Sequence, residues 1–332
     1  MNILIINQSE VKQLLPMAEC MEVMVEALKT LARGQALLPL RPVMWLPEKV
    51  GALAMMPAYL GDLQIMGLKI VSVFPGNRGT EFDSHMGAVM IFETNHGQPL
   101  ALMDATEITA IRTAAVSGVA TRLLARDRAG DLAVLGSGTQ ARTHLEAMLH
   151  CRTLRRVRVW SRNPDNGRRF AERESRRHNL PVELMPTVKD AVQGADIVCT
   201  TTSSTDPVLF GEYLSPGCHI NAVGSSVPFA RELDTEAVLR SRLFVDRRES
   251  TVNEAGDFLI PKKEGAIGDS HIQGEIGELL LNKVKGRTSE EEITLFKSLG
   301  LAVEDLASAH HIYKKAMAAR IGTEVQLGGS RH

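Results

Sequence analysis

The spacing of hydrophobic and polar positions along the chain predicts two regions of different architecture. Apolar residues recur at three- and four-residue spacing after Pro16, which predicts a helix ending near Gly34. Short strand-like runs broken by Gly and Pro follow, and they predict an antiparallel sheet or a partial barrel. These runs cover 43–46, 52–56, 67–74, 88–93 and 100–104. A helix rich in Ala, Thr and Val is expected next, from about Glu107 to Ala125.

From residue 132 onward, strand-like and helical patterns alternate. The strand-like segments lie near 132–135, 156–160, 181–184, 196–199, 218–223 and 242–246. Such alternation predicts an α/β fold with a doubly wound parallel sheet. After Gly300, the apolar positions Val303, Leu306 and Ala307 predict a helix that returns to the first domain.

The composition is that of a soluble globular protein, with 44% hydrophobic and 23% charged residues among 332. A formal net charge of −1 gives no reason to expect a nucleic acid or an anionic membrane as a partner. No apolar run approaches the roughly 20 residues that span a bilayer, and no signal-peptide pattern is evident. The four cysteines are scattered without a C-x-x-C pair, so we expect no disulfide framework and no structural zinc. These features predict a cytoplasmic protein.

The most informative motif is G-x-G-x-x-A at residues 136–141, between an apolar strand and the start of a helix. Gly136 permits a tight turn, Gly138 lets the backbone approach phosphates, and Ala141 allows close contact between helix and strand. The free N–H groups at the helix start would then face the pyrophosphate of a dinucleotide. An ordinary βα turn is the alternative, because glycine-rich turns are common. The strand–turn–helix context favours dinucleotide binding.

The residues after the second strand of this domain select between NAD and NADP. Enzymes that prefer NAD usually carry an Asp or Glu here, which accepts hydrogen bonds from the ribose 2′-hydroxyl. This chain reads Trp160-Ser161-Arg162-Asn163, and no carboxylate precedes Asp165. A guanidinium suits a 2′-phosphate in both geometry and charge. We therefore expect NADP(H), the alternative being that Arg162 is an ordinary surface arginine.

Charged residues interrupt two apolar segments outside the nucleotide domain. Lys69 lies in a strand-like run, where it either points to solvent or is buried beside substrate and donates a proton. Arg112 interrupts a helix of small residues, where it either forms a structural ion pair or binds a carboxylate bidentately. Arg41 is a second candidate carboxylate anchor and His85 is a candidate to reach the site, although both residue types are more often surface groups.

Hydroxyl residues from Thr200 to Thr205 follow a predicted strand at the carboxyl edge of the sheet, where ligands bind in such folds. We expect Thr200 and Thr201 to contact the cofactor. The pair His310 and His311 has no carboxylate or cysteine partner at ligand spacing, so we expect no metal site.

Several segments, spread over nearly the whole chain, together resemble the ornithine cyclodeaminase/mu-crystallin family. Besides the 136–141 motif, they are Leu102-Met103-Asp104, Ile108-Thr109-Ala110-Ile111-Arg112-Thr113-Ala114-Ala115, Leu209-Phe210-Gly211-Glu212, His219-Ile220-Asn221-Ala222-Val223-Gly224 and Phe296-Lys297-Ser298-Leu299-Gly300. The resemblance implies a homodimer with a Rossmann-type dinucleotide-binding domain at 115–302. It also implies a discontinuous α+β substrate-binding and dimerisation domain at 1–114, to which a C-terminal helix at 303–332 returns.

The resemblance also implies roles for individual residues. Lys69 and Arg112 match active-site positions, and Arg41 matches a contact to the substrate carboxylate. Taken together, the motifs and the resemblance predict that the cofactor is bound by Thr113, Gly136, Gly138, Thr139, Gln140, Ser161, Arg162, Thr200, Thr201, Val223 and Ser298.

Three departures separate this chain from the cyclodeaminases of that family. Their acidic catalytic residue lies in a Gly-Gly-Asp-Cys-Pro-like segment, which is Gly224-Ser225-Ser226-Val227-Pro228 here, so Ser226 stands in place of the Asp. Ala54 stands where the cyclodeaminases carry a Glu. The cyclodeaminases favour NAD, whereas Ser161-Arg162 suggests NADP in this chain. Neither serine nor alanine can replace a carboxylate base. The departures resemble the mu-crystallin branch, whose members reduce cyclic ketimines.

We therefore expect NADPH-dependent reduction of a small cyclic imino acid, Δ1-pyrroline-2-carboxylate or Δ1-piperideine-2-carboxylate, to proline or pipecolate. Arg112 with Arg41 would fix the carboxylate, Lys69 would orient or protonate the nitrogen, and His85 and Ser226 would contact the substrate. Such a substrate already carries its C=N bond, so no base is needed to create one. The alternatives are a cyclodeaminase or amino-acid dehydrogenase acting on an open-chain amine, and a non-catalytic ligand-binding protein that keeps NADP for stability.

Overall fold

A computed structural model describes residues 2–77 and 79–328 of the chain. The outermost positions of the predicted domain ranges, Met1 and 329–332, lie outside the described residues. The described residues form two compact units, and the chain passes from the first to the second between Arg112 and Thr113 and returns to the first between Gly300 and Leu301. The first division therefore falls within one continuous helix, which contributes residues to both units.

Strands and helices are numbered in chain order. The strands are β1 (Asn2–Ile6), β2 (Ala36–Leu37), β3 (Val43–Trp45), β4 (Ala52–Leu60), β5 (Ile65–Val73), β6 (His85–Glu93), β7 (Pro99–Asp104), β8 (Asp131–Leu135), β9 (Arg156–Trp160), β10 (Val182–Leu184), β11 (Ile197–Thr200), β12 (His219–Ala222), β13 (Ser241–Val245), β14 (Ile272–Glu275), β15 (Ile293–Lys297) and β16 (Thr323–Gln326). The helices are α1 (Gln8–Leu14), α2 (Met17–Ala32), α3 (Ala105–Leu124), α4 (Thr139–Cys151), α5 (Pro164–His178), α6 (Val188–Val192), α7 (Thr235–Leu239), α8 (Arg248–Glu254), α9 (Gly256–Lys263), α10 (Ile276–Leu280) and α11 (Ala302–Ala319).

The first unit is built on a sheet of eight strands, counted over the described residues. Its order is β16-β1-β7-β6-β5-β4-β2, and β3 also pairs with β4. Neighbouring strands are antiparallel except β1 and β7, which are parallel. Burial alternates along β4 because successive side chains of a strand point to opposite faces. Helix α11 packs on β4 to β7 and against α2.

The second unit contains another sheet of eight strands in its described residues, in the order β10-β9-β8-β11-β12-β15-β13-β14. Every pairing in this sheet is parallel. The strands β11, β12 and β15 are buried along their whole length, as expected where helices cover both faces of a sheet. The strand order reverses between β8 and β11, and ligands of such sheets bind at the carboxyl ends of strands beside this reversal.

The predicted α/β class, with its Rossmann-type doubly wound parallel sheet and its separate α+β region, is confirmed. The sequence patterns do not predict β1, β2, β14, β15 or β16. Strand β15 is buried at all five positions but contains the polar residues Thr294 and Lys297, so it shows neither an alternating pattern nor a continuous apolar run. Strand β16 is exposed at all four positions and also lacks both patterns. Strand β14 contains Gly274, a residue that usually argues against a strand.

Candidate active site

The predicted nucleotide motif forms the turn between β8 and α4 in the second unit. Gly136 has a φ of 126°, and a Cβ there would lie 2.7 Å from the carbonyl oxygen of Thr201, so a larger residue does not fit. Gly138 is the N-cap of α4, it supplies no side-chain cap, and a Cβ there would meet nothing within 4 Å. The first N–H groups of this 13-residue helix therefore remain available to an anion.

Ser161 and Arg162 lie beside this turn, directly after β9. The hydroxyl oxygens of Ser161 and Ser137 are 2.8 Å apart, and the N–H of Gly136 donates to the carbonyl oxygen of Trp160 at 2.8 Å. Arg162 is exposed, as a residue that receives a phosphate from solvent must be. Its predicted contact with a 2′-phosphate stays a prediction.

The other predicted cofactor residues lie where the parallel strands end. The hydroxyl of Thr201 donates to the last carbonyl oxygen of β8 at 3.0 Å. The N–H of Val223 donates to the carbonyl oxygen of Thr200 at 3.0 Å, and that of Ser298 donates to the last carbonyl of β12 at 3.0 Å. These contacts bring the ends of β8, β11, β12 and β15 to one edge of the sheet. Thr113 is buried in α3, at the first position of the second unit.

Sequence reasoning missed the buried carboxylate that joins two of these strand ends. Glu232 is completely buried and accepts four hydrogen bonds of 2.6 to 2.7 Å. The donors are the hydroxyl of Thr200, the N–H and hydroxyl of Thr202, and the N–H of Gly224. The Thr200 hydroxyl is therefore engaged with Glu232, and its contact with a cofactor stays a prediction. The only signal in the sequence is a lone Glu between Ala230 and Leu233 in a loop.

A buried ion pair supports the same loops and was also missed. The ammonium of Lys297, at the end of β15, lies 2.8 Å from a carboxylate oxygen of Asp257 and donates to the carbonyl of Ser225 at 2.6 Å. The other oxygen of Asp257 accepts from the N–H of Glu232 at 2.8 Å. Burial, and then the charge of Asp257, raises the pKa of the Glu232 carboxyl, while its hydrogen bonds act in the opposite direction. The loops after β11 and β12 are thus held by one connected polar network.

In the first unit, Lys69 points into the protein from β5. Its side chain is 3% exposed, which excludes the alternative of a solvent-facing strand lysine. The ammonium lies 2.9 Å from a carboxylate oxygen of Asp305 at the start of α11, and it donates to the hydroxyl of Thr109 at 3.3 Å. A buried amine held beside a carboxylate can give up or take a proton with little movement of either group.

Arg112 reaches the same carboxylate from α3. Its Nε donates to the second oxygen of Asp305 at 2.9 Å, and its Nη1 donates to Glu304 at 2.7 Å. The ion pair that sequence reasoning left open as a structural alternative is therefore present. Binding of a substrate carboxylate by Arg112 stays a prediction. The acidic partners were not predicted, because they lie more than 190 residues away along the chain.

The electrostatics of this cluster follow from its burial. The pKa of Lys69 falls from its ordinary 10.5 to about 8, first because burial disfavours the ammonium and then because Arg112 is positive, while Asp305 opposes the shift. Burial alone would lower the pKa of Arg112, but the carboxylates of Asp305 and Glu304 outweigh it and raise that pKa. Near neutral pH both Lys69 and Arg112 therefore carry a positive charge, and the carboxyl groups of Asp305 and Glu304 hold them.

The remaining predicted substrate residues are less buried. Arg41 is half-buried, and its positive charge contributes to the lowered pKa of Lys69. His85, at the start of β6, is exposed and lies 3.0 Å from the hydroxyl of Ser84. Partial desolvation of the ring, and then the charge of Lys69, lowers the pKa of His85. Ser226 is exposed in the loop after β12 of the second unit.

The residues around the glycine turn fit a dinucleotide. The space beside Gly138 is open, and the start of α4 offers uncapped N–H groups. The side-chain oxygen of Gln140 is buried without a hydrogen-bond partner among the described residues, so a donor from a ligand would satisfy it. Elsewhere in the described parts of the chain, no group of three or more His, Cys, Asp or Glu could hold a metal ion. None of the described helices is long and apolar enough to cross a membrane.

A glycine turn at the strand-order reversal of a parallel sheet, in a chain with a separate buried cluster of lysine, arginine and carboxylates, defines a Rossmann-type oxidoreductase. The family model of the ornithine cyclodeaminase/mu-crystallin family matches residues 1–320. The chain belongs to this family, as its motifs predict.

Relatives with names that describe a reaction cover most of the chain. The Δ1-pyrroline-2-carboxylate reductase of Bacillus cereus is 34% identical over 325 residues, which are 98% of this chain and 100% of the relative. The ketimine reductase mu-crystallin of Mus musculus is 39% identical over 280 residues, 84% of this chain and 85% of the relative. The solved structure of Thermococcus litoralis Δ1-pyrroline-2-carboxylate reductase in complex with NADH and L-proline is 38% identical. It superposes with a TM-score of 0.95, covering 97% of this chain and 100% of that one.

Proposed function

We propose that this protein reduces small cyclic ketimines that carry a carboxylate next to the C=N carbon, with a nicotinamide dinucleotide as reductant. The products would be cyclic amino acids such as L-proline from Δ1-pyrroline-2-carboxylate or L-pipecolate from Δ1-piperideine-2-carboxylate. The observation that carries the proposal is the buried pair of Lys69 and Arg112, held by one carboxylate in a chain that also has a dinucleotide turn. The reductase names of the relatives support the same reaction class.

The cations of the first unit match the two polar ends of such a substrate. Arg112, with Arg41, binds the carboxylate, because a guanidinium forms strong charge-assisted hydrogen bonds to carboxylate oxygens. Lys69 donates a hydrogen bond or a proton to the imine nitrogen, which makes the C=N carbon more electrophilic. When bound, the reduced nicotinamide supplies the hydride that this carbon accepts. His85 and Ser226 are further contacts to the substrate.

The missing carboxylates argue against ornithine as the substrate. The family resemblance implies that Ala54 on β4 and Ser226 after β12 stand at the two positions where cyclodeaminases carry acidic residues. A cyclodeaminase must take protons from an amine and accommodate a second ammonium group, and a carboxylate suits both tasks better than serine or alanine does. An imine substrate requires a proton donor instead, which a protonated Lys69 provides.

NADPH is the preferred reductant in this proposal. Arg162 is exposed at the end of β9, and the positions from Trp160 to Pro164 contain no carboxylate that would repel a 2′-phosphate. The guanidinium and the adjacent Ser161 hydroxyl together offer several donors to phosphate oxygens. Because the Thermococcus litoralis relative was solved with NADH, the preference requires a direct comparison of the two cofactors.

A homodimer formed through the sheet of the first unit is part of the proposal. Met66 and Ile70 are exposed on the face of β5 opposite to Lys69, and Met86 of β6 is also exposed. An apolar surface of this kind is typical of a protein interface.

Sedimentation velocity of the wild type is expected to show a dimer, and Ile70→Glu is expected to shift it toward monomer. A matched exposed substitution on α1, Lys12→Glu, serves as control. A monomeric wild type contradicts this part.

The decisive experiment measures oxidation of NADPH and of NADH with five- and six-membered cyclic imino acids, beside an assay for conversion of ornithine to proline. We expect turnover of the imino acids, a higher kcat/KM with NADPH, and little or no release of ammonia from ornithine. Robust ornithine turnover with catalytic NAD would identify a cyclodeaminase instead. Cofactor binding without turnover of any imine or amine would identify a ligand-binding protein.

A further inference from the structure

Asp305 is a carboxylate that contacts both Lys69 and Arg112. It is completely buried at the start of α11, where a helix N-terminus favours a negative charge. One oxygen lies 2.9 Å from the Lys69 ammonium and the other accepts from Nε of Arg112 at 2.9 Å. The two cations therefore approach the same side chain from different elements, β5 and α3.

The geometry sets the distance between two groups that would otherwise repel each other. The positive charge of Arg112 lowers the pKa of Lys69, and the carboxylate of Asp305 raises it. Asp305 therefore offsets the repulsion between the Lys69 ammonium and the Arg112 guanidinium. Among the described residues, Arg41, which also lowers the pKa of Lys69, and His85 face Lys69 as well. Glu304, the neighbour of Asp305, forms its ion pair with Arg112.

We propose that Asp305 is a positioning residue of the reductase site, which fixes the spacing of Lys69 and Arg112 and keeps Lys69 protonated for donation to the imine nitrogen. This inference rests on the proposed function, since only a reductase needs that donor. Asp305 would act through the two cations and would not itself contact the substrate. The spacing that it imposes would select ligands whose carboxylate and nitrogen are separated by one carbon, as in cyclic α-imino acids.

The first test needs neither substrate nor cofactor. Lysine side chains labelled at the ε-carbon are titrated by NMR in the complete protein, and the signal of Lys69 is assigned as the one lost in Lys69→Met. In Asp305→Asn the midpoint of this signal is expected to fall by about one pH unit or more, because an opposite charge at hydrogen-bond distance has been removed. In Glu304→Gln, the matched control, the midpoint is expected to move clearly less. An unchanged Lys69 midpoint in Asp305→Asn overturns the inference.

The second test follows kcat/KM for a cyclic imino acid against pH. A donor must be protonated, so activity is lost as pH rises through its pKa, and Asp305→Asn is expected to move this loss to lower pH. At pH 8 a fall of one unit would reduce the protonated fraction of Lys69 by roughly fivefold. An alkaline limb at the same pH in both enzymes contradicts the role in proton donation.

Asp305→Glu keeps the charge and moves it by one methylene, which separates charge from spacing. We expect its Lys69 midpoint to stay near that of the wild type while kcat/KM falls by about tenfold or more, because misplacement by about 1 Å is costly in catalysis. If Asp305→Glu has the kcat/KM of the wild type, Asp305 does not set the spacing of Lys69 and Arg112. This test remains valid even if Asp305→Asn does not fold. The NMR titration stands even if no imine is reduced, so failure of the inference and failure of the proposed function are distinguishable.

Discussion

Replacement of Lys69 by methionine tests the proposed chemistry most directly. Methionine keeps much of the length and apolar volume of the lysine side chain, so the buried site between β5 and α11 stays filled. Asp305 keeps its second partner, Arg112, and is not left as an unpaired buried charge. The variant therefore removes the proton donor with limited damage to the first unit.

The expected loss of activity follows from the chemistry that is removed. General acid catalysis typically contributes about 10²-fold or more, so kcat should fall by at least that factor while NADPH still binds. In the wild type, activity should decline as pH rises through about 8, the pKa of Lys69. The variant should lack this decline. The ratio of the two profiles cancels the titration of the imine itself, which is common to both enzymes.

The same substitution has a consequence for stability. The pKa of Lys69 is about 8 in the folded protein and its ordinary value is 10.5, so between these values the unfolded chain binds more protons than the folded one. Stability therefore rises with pH across this range, by about 3 kcal/mol for the full difference. Wild type should gain stability relative to Lys69→Met between pH 8 and pH 10.5, and the two should change in parallel below pH 7.

Three measurements test the role of Lys69. Steady-state kinetics with a cyclic imino acid are followed from about pH 6 to 10, which is about two units on either side of a donor titrating near 8. NADPH binding is measured by fluorescence, and stability is measured by denaturant unfolding at several pH values. Lys29→Met, which removes a half-buried lysine of α2 whose ammonium pairs with Glu26 at 2.9 Å, is the matched control and should behave as wild type. A Lys69→Met enzyme that folds, binds NADPH and turns over normally would show that Lys69 has no part in proton transfer.

Three further predictions concern the other candidate residues. Arg162→Ala should raise the KM for NADPH far more than that for NADH, and equal changes would remove Arg162 from the 2′-phosphate. Arg112→Ala should lower kcat/KM strongly for carboxylated imines and much less for imines without a carboxylate. The comparison is made at a temperature where circular dichroism shows that the variant is folded. Equal losses of kcat/KM for both kinds of imine would show that Arg112 has only a structural role. In Glu232→Gln, one of the backbone N–H groups of Thr202 and Gly224 must face an NH₂ donor, which should cost about 1–3 kcal/mol of stability and weaken NADPH binding. Unchanged melting and binding would show that this network does not order the cofactor loops.

Local features explain why part of the site could be predicted from the sequence. The glycine turn is a contiguous segment whose function depends on backbone conformation, and the structure shows the positive φ and the open N-cap that the motif requires. Lys69 and Arg112 attract notice because a single charge interrupts an apolar segment. That pattern predicts burial or function, and both side chains are 3–4% exposed.

Non-local features explain why the rest could not. Glu304 and Asp305 stand in the first turn of α11, where acidic residues are common because they stabilise any helix start. Their contacts with Lys69 and Arg112 depend on how α11 packs over β5 and α3, which no periodicity reveals. Glu232 lies in a loop without any repeat. Strands β1 and β16 pair residues that are 318 to 324 positions apart along the chain, so local sequence carries no record of their pairing.

The engagement of the carboxylates in the first unit bears on the direction of proton transfer. Asp305 is shared between two cations and Glu304 is paired with Arg112, so a proton from an open-chain amine would have to displace one of these buried ion pairs. Removing one partner from a buried pair typically costs about 3–5 kcal/mol. Donation from Lys69 to an imine has no such requirement, because the substrate carboxylate brings a negative charge to the same group of cations. The arrangement therefore favours a substrate that arrives with its C=N bond already formed.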